Sequence, residues 1–412
     1  MVRPESSGLS GPRLQHIDRF IQEKYLDTGK LPCALTLVER NGHVAHSSAL
    51  GHMDLERKRP LQEDTIFRIY SMTKPLTSLA LMMLVEEGRI SLDDPVHRYI
   101  PQWRELGVYE GGFIGGFRTK RTSAPMRVVD LMRHTSGLTY GFQQRTNVDA
   151  AYRKLHLGEI PTAVSLEQMI DELARVPLEF SPGSAWNYGI STDVVGYLVG
   201  KVSGQPFEQF LRSRILDPLG MTDTDFMVPA AKASRFAACY AATPKGGMVL
   251  QDDPQTSFFL KPPTFVSGGG GLVSTAADYL RFCRMLLNKG ELDGVRLLSP
   301  KTAALMTRNH LPGAREIADL SPVSDAFNES GYRGIGFGLG VAVTLDPARV
   351  GIPGTAGEFT WGGMASTTFF VDPQEDMAVV FMTQAIVDTA RRVRLRRDLR
   401  SLIYGAMTES YA

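Results

Sequence analysis

Ser71-Met72-Thr73-Lys74 is the only Ser-x-x-Lys in this 412-residue chain. On a helix, residues three apart share a face, so the serine hydroxyl and the lysine amine can meet. Pro75 has no N–H to donate and is tolerated in a first helical turn, which puts the pair at a helix start. The following run, Leu76 to Val85, is apolar on nearly every face and stops at Gly88, the pattern of a helix buried on all sides. Free N–H groups at such a start can hold a developing oxyanion, and the positive end of the dipole disfavours charge on the lysine. A free lysine titrates at about 10.4, whereas a general base for neutral pH works best at about 7 to 8. The dipole supplies at most about 2 kcal/mol, equivalent to about 1.5 pH units. Burial must supply the rest, so Lys74 is expected to be desolvated. One or two Ser-x-x-Lys matches are expected by chance in a chain this long, but an unpaired lysine opening a buried helix is costly, and packing alone explains it badly.

Two further elements join this pair. Trp186-Asn187-Tyr188 follows Phe180-Ser181-Pro182-Gly183, and a tyrosine on such a loop can relay a proton between a serine and a leaving alkoxide. Trp361-Gly362-Gly363-Met364 precedes a strand-like stretch; two glycines let backbone approach a substrate closely, and the next N–H can point at a carbonyl oxygen. Taken singly, the tyrosine reads as ordinary packing and the glycines as a bulge. The combination raises them.

In order and spacing the three elements resemble the signature of class C β-lactamases, penicillin-binding DD-peptidases and the family VIII carboxylesterases. Phe67-Arg68-Ile69-Tyr70, Leu92-Asp93-Asp94-Pro95-Val96, His134-Thr135-Ser136-Gly137-Leu138 and Gly268-Gly269-Gly270-Gly271-Leu272-Val273-Ser274-Thr275 add to the resemblance, which runs from about Leu14 to Tyr404. It implies an α/β (α+β) fold of the β-lactamase/DD-peptidase type, with an antiparallel sheet flanked by helices and an all-helical domain. It also implies Ser71 as nucleophile, Lys74 as its base partner, Tyr188 as proton relay, and the N–H groups of Ser71 and Met364 as oxyanion hole.

Two departures choose among these relatives. Where β-lactamases carry Lys-Thr-Gly this chain has Trp361-Gly362-Gly363, which removes the cation that would pair with a carboxylate. Where their tyrosine motif reads Tyr-x-Asn, this one reads Tyr188-Gly189-Ile190. Both changes make the pocket more apolar and favour neutral esters, as in family VIII; a short-to-medium acyl chain is the expectation, although neither change sets its length. The expected substrate is a small-molecule ester, with Trp361, Gly362, Gly363 and Tyr140 contacting it. Alternatives on the same residues are a β-lactamase, DD-peptidase or acyltransferase; an inactive scaffold is the alternative of another class.

The elements that must position these residues follow from periodicity. Ser10, Pro12 and the helical spacing of Leu14, Ile17, Ile21 and Tyr25 predict a capped first helix. Ala34 to Glu39 and His43 to Ala49 predict strands joined at Asn41-Gly42. From about Ser91 to Gln251 the pattern is helical and loop-rich, including Leu166 to Arg175 and Val194 to Val202. Strand character returns at Gly338 to Leu345, Ser366 to Val371 and Met377 to Thr383. We therefore expect a sheet domain from 1–75 and 260–412, a mainly helical domain from 76–259, and the active cleft between them.

Composition narrows the function further. A formal net charge of +1 gives no field suited to nucleic acid or anionic membrane. No run approaches the roughly 18 apolar residues a membrane span needs, and without an apolar leader a cytoplasmic location is the plain reading. Cys33, Cys239 and Cys283 are widely spaced, and no metal or cofactor motif is present. The sequence carries no signal for oligomeric state. No Gly-x-Ser-x-Gly elbow occurs, which sets aside an α/β-hydrolase, and His134, beside a Ser-Gly turn, is read as a structural hydrogen-bonding residue rather than a triad base. The arginine run from Arg391 to Arg400 reads as a terminal helix on the sheet with a solvated face.

Overall fold

The computed structural model describes residues 3–321 and 332–412. Asn41 and Gly42 both have positive φ, 55° and 72°, the tight-turn geometry that matches strand twist. They join β1 (Cys33–Arg40) to β2 (His43–Asp54), and β3 (Arg59–Pro60) extends that edge. Five strands come from the other end of the chain: β4 (Ile335–Phe337), β5 (Ala342–Thr344), β6 (Phe359–Gly362), β7 (Thr368–Asp372) and β8 (Met377–Met382). Together they form one sheet in the order β4-β5-β6-β7-β8-β1-β2-β3, antiparallel throughout. The two ends of the chain thus meet at the β8–β1 pair, where Leu35 lies opposite Met382.

The central strands are apolar at consecutive positions because both faces of the sheet are covered. Met377, Val379 and Phe381 pack with Leu14, Ile17 and Ile21 of α1 (Gly11–Ile21) and with Leu395, Leu399 and Ile403 of the C-terminal helix. Their neighbours Ala378, Val380 and Met382 belong to the main core on the opposite face, which also contains the helix α2 (Thr73–Glu86). The period of two in side-chain direction sorts one strand into two cores. Every α2 residue from Thr73 to Leu84 is buried. Beside it runs α3 (Ser191–Ser203), while α4 (Ala276–Leu287) packs on strands β1, β7 and β8; α5 (Thr389–Gly405) is the last helix. No helix among the described residues is long and apolar enough to cross a membrane.

Several local expectations change. Ser10 occupies the N-cap position of α1 without a side-chain cap bond; Glu5 Oε1 accepts from the Gly11 N–H instead, at 3.1 Å. The stretch Gly338 to Leu345 is not one strand, because the Gly338 N–H turns back to the Val341 carbonyl (2.8 Å) and Gly340 has φ of 92°. A Cβ at Gly340 would collide with the Ser78 hydroxyl of α2, so the glycine turn lets the sheet edge meet the helix. The helical region also holds two hairpins, Val108–Gly111 with Arg118–Lys120 and Cys239–Ala242 with Met248–Asp252. Each is too short for period-two alternation to stand out from loop.

Candidate active site

Ser71 sits in a one-turn 3-10 segment, Tyr70–Met72, that feeds directly into α2. The approach is held from both sides: the Ile69 N–H donates to the Leu272 carbonyl (3.2 Å), the Leu272 N–H to Thr73 Oγ1 (3.1 Å), and Tyr279 Oη to the Met72 carbonyl (2.9 Å). Tyr70, just before the serine, has φ of +41°, in the left-handed region that costs a non-glycine residue on the order of 1 kcal/mol. That strained bend turns the chain from its short pairing with Val273–Ser274 into the helix.

Lys74 is 1% exposed, as desolvation requires. Its Nζ lies 3.2 Å from Ser71 Oγ, 3.1 Å from Tyr140 Oη and 2.6 Å from the Gly269 carbonyl oxygen. Tyr188 Oη lies 2.7 Å from the same serine oxygen. Hydroxyl protons rotate to suit their partners, so this geometry provides a two-sided proton path at one serine hydroxyl. The structure therefore brings Ser71, Lys74 and Tyr188 together across two loops and a helix. Tyr140 belongs with them as a partner of the amine, a contact that sequence reasoning, which placed it only among the substrate contacts, missed.

The Tyr188 loop is stitched to the His134-Leu138 stretch. The Asn187 N–H donates to the His134 carbonyl (2.9 Å), Asn187 Nδ2 to the Leu138 carbonyl (3.2 Å), and a Cβ at Gly189 would lie 2.6 Å from the latter oxygen. The His134 ring does not hydrogen-bond as expected. Neither ring nitrogen has a hydrogen-bond partner among the described residues. The ring packs instead against Tyr188 (centroids 4.9 Å apart) and Phe337 (5.4 Å). Burial holds its titration well below the usual imidazole range, and the Lys74 charge acts in the same direction. A neutral ring behind the tyrosine fixes it by shape rather than by charge.

Met364 shares the cavity with Ser71. Among the described residues neither of their N–H groups donates a hydrogen bond, so both are available to an oxyanion. The glycines before Met364 serve a purpose other than the expected substrate approach. A Cβ at Gly363 would collide with the Ile69 carbonyl and Thr367 Oγ1, and one at Gly362 with the Arg396 guanidinium. Trp361, Gly362 and Gly363 do not line the cavity; Trp361 is buried behind Tyr188, ring centroids 5.5 Å apart. Their contact with substrate is thus replaced by a supporting one. Behind this strand, Arg396 donates to the Gly363 (3.0 Å) and Thr367 (2.9 Å) carbonyls and Arg392 to that of Met364 (3.1 Å). Both arginines are buried on the sheet-facing side of α5, so part of the basic run is internal rather than solvated. Charge periodicity alone could not show this, because carbonyl acceptors leave no mark in a sequence.

The cavity has a volume of about 520 Å³. Tyr140, Phe142, Leu157 and Ile160 give it an apolar wall beside Ser71, with Gln144, Arg153 and Glu159 as its polar members. Arg153 is tied to Asp149 (2.7 Å) and to the Gly141 carbonyl. Phe142 stacks on Tyr140 at 4.7 Å between centroids.

Known proteins are similar to this chain in sequence and fold. A sequence profile of the Beta-lactamase family matches residues 17–402. Protein Rv1367c of Mycobacterium tuberculosis is 36% identical over 365 residues, covering 88% of each chain. Esterase EstB of Burkholderia gladioli is 32% identical over 374 residues, covering 86% of each. The solved structure of EstCE1, described as a hydrolase with promiscuous acyltransferase activity, superposes with a TM-score of 0.80 at 27% identity, covering 96% of this chain and 99% of that one. The chain belongs to the Beta-lactamase family and is a serine hydrolase of the β-lactamase-like fold.

Proposed function

We propose that this protein is a carboxylesterase that hydrolyses neutral esters of short-to-medium acyl chains through an acyl-enzyme on Ser71. The observation that carries the reading is the convergence of a buried amine and a phenol on one serine oxygen, at 3.2 and 2.7 Å, beside an apolar cavity. In the first step the Ser71 proton passes to Lys74 while Oγ bonds to the ester carbonyl carbon, and the negative oxygen is held by the Ser71 and Met364 N–H groups. The C–O bond to the alcohol then breaks, Tyr188 delivers its proton to the departing alkoxide, and the proton taken up by Lys74 passes to Tyr188 to restore the phenol and the neutral amine. Water repeats the sequence and releases the acid. Residues 1–75 and 260–412 form the sheet unit in this reading and 76–259 the helical unit; the protein acts in the cytoplasm.

The absent lysine of the Lys-Thr-Gly motif supports an ester over a β-lactam, since Arg396 behind Gly363 is spent on backbone carbonyls. Acyl transfer to an alcohol is the second reading, favoured by the activity ascribed to EstCE1. Turnover of p-nitrophenyl butyrate, with a mass increment of one butyryl group on Ser71, is the expected result. Faster turnover of nitrocefin than of the ester overturns the esterase reading, and an unlabelled Ser71 after fluorophosphonate treatment overturns the nucleophile.

A further inference from the structure

The glycine stretch Gly268 to Gly271 has no part in the chemistry above, yet its Gly269 carbonyl lies 2.6 Å from the Lys74 amine. What holds this loop is Asp193, in the first turn of α3 and 1% exposed. Its Oδ1 accepts from Ser267 Oγ (2.5 Å) and from the Gly269 N–H (2.9 Å). A Cβ at Gly269 would lie 2.5 Å from Asp193 Oδ2, so only glycine lets the loop close on the carboxylate. From the other side α2 contributes Thr77, whose Oγ1 donates to the Gly268 carbonyl at 2.7 Å.

We propose that Asp193 is a positioning residue for the Ser71–Lys74 pair, clamping the loop that holds the amine and supplying the buried negative charge that sets the amine's proton affinity. Two donors on one carboxyl oxygen is the pattern of an ionised acceptor, and a carboxylate in a first helical turn is favoured by the dipole. Burial pushes the carboxyl above its usual range, while the Lys74 charge and the Ser267 and Gly269 bonds pull it back. Among the described residues the titratable groups facing the amine are Tyr140, Tyr188, His134 and Asp193. Asp193 is the one carboxyl among them, so it is the group whose removal the amine would feel.

The inference rests on the Ser71–Lys74 reading, and the test separates the two. kcat/KM for p-nitrophenyl butyrate and the rate of fluorophosphonate labelling are followed against pH in the wild type, Asp193→Asn and Ser267→Ala. Asp193→Asn keeps shape and removes charge; a lost opposite charge moves a buried group by about 1 to 3 pH units. The acidic limb is expected to move to lower pH by about one unit or more, with kcat falling and KM little changed. Ser267→Ala, which weakens the clamp, is expected to move it the same way by less. A purely structural role lowers the plateau or Tm and leaves the limb in place. A folded Asp193→Asn with the wild-type limb overturns the proposal; if that variant does not fold, an unmoved limb and unchanged labelling rate in Ser267→Ala overturn it. Failure of the wild type itself to label at Ser71 overturns the nucleophile reading instead.

Discussion

Replacing Tyr188 by phenylalanine isolates one oxygen atom. The ring is held by His134 at 4.9 Å, Tyr140 at 5.4 Å and Trp361 at 5.5 Å between centroids, and none of these contacts needs the hydroxyl. Loss of one hydrogen bond costs about 1 kcal/mol of stability, so Tm is expected to fall by no more than a few degrees. Activity responds differently, because the 2.7 Å contact is to Ser71 Oγ, the attacking oxygen of the proposed mechanism. A positioned proton donor contributes a factor of about 10² to 10⁴, and that is the loss expected in kcat/KM. The loss also depends on the leaving group. A p-nitrophenolate departs without a proton, whereas an alkoxide does not, so Tyr188→Phe is expected to damage ethyl butyrate hydrolysis several-fold more than p-nitrophenyl butyrate hydrolysis. The assay measures both substrates by pH-stat on protein of verified Tm. Equal losses refute the relay to the alkoxide, and a loss under about threefold on either ester refutes any proton role for this tyrosine.

Two further perturbations test the supports of the site. Gly363→Ala drives a methyl into the Ile69 carbonyl, so we expect destabilisation by about 1 to 3 kcal/mol and a loss of kcat larger than the change in KM, read by denaturant unfolding and steady-state kinetics. The buried His134, whose folded-state titration lies below its unfolded value, contributes stability that is present above about pH 6.5 and lost as pH falls below it. Below that point the unfolded chain carries one more proton, so the wild type should lose about 1.4 kcal/mol per pH unit more than His134→Asn, a residue that tolerates the left-handed backbone here; parallel unfolding free energies at pH 6 and 5 would contradict it.

Much of the site was legible because its signals are local. Ser71 and Lys74 lie one helical step apart, and the apolar run after them could only be a buried helix. Trp186-Asn187-Tyr188 and Trp361-Gly362-Gly363-Met364 were found as motifs, but their reasons were misassigned where the reason is a distant neighbour. The Gly362 and Gly363 positions are vacated for Arg396 and Ile69, not for substrate, and His134 packs its ring rather than bonding through it. The arginines of α5 looked solvated because sequence periodicity shows that a residue faces inward but not that carbonyls await it there.

From the sequence alone came what acts within a few residues: the Asn41-Gly42 turn, the shared face of Ser71 and Lys74, the all-round burial of α2, and the strands at both ends of the chain. Only the folded chain decided that Tyr140, 66 residues from Lys74, and the Gly269 carbonyl, 195 residues away, reach the same amine. The physical reason is range. Backbone propensity and side-chain periodicity act over one or two turns, whereas which loops close on a buried amine is settled by the sheet and by the packing of α2 against α3, whose partners are remote in sequence.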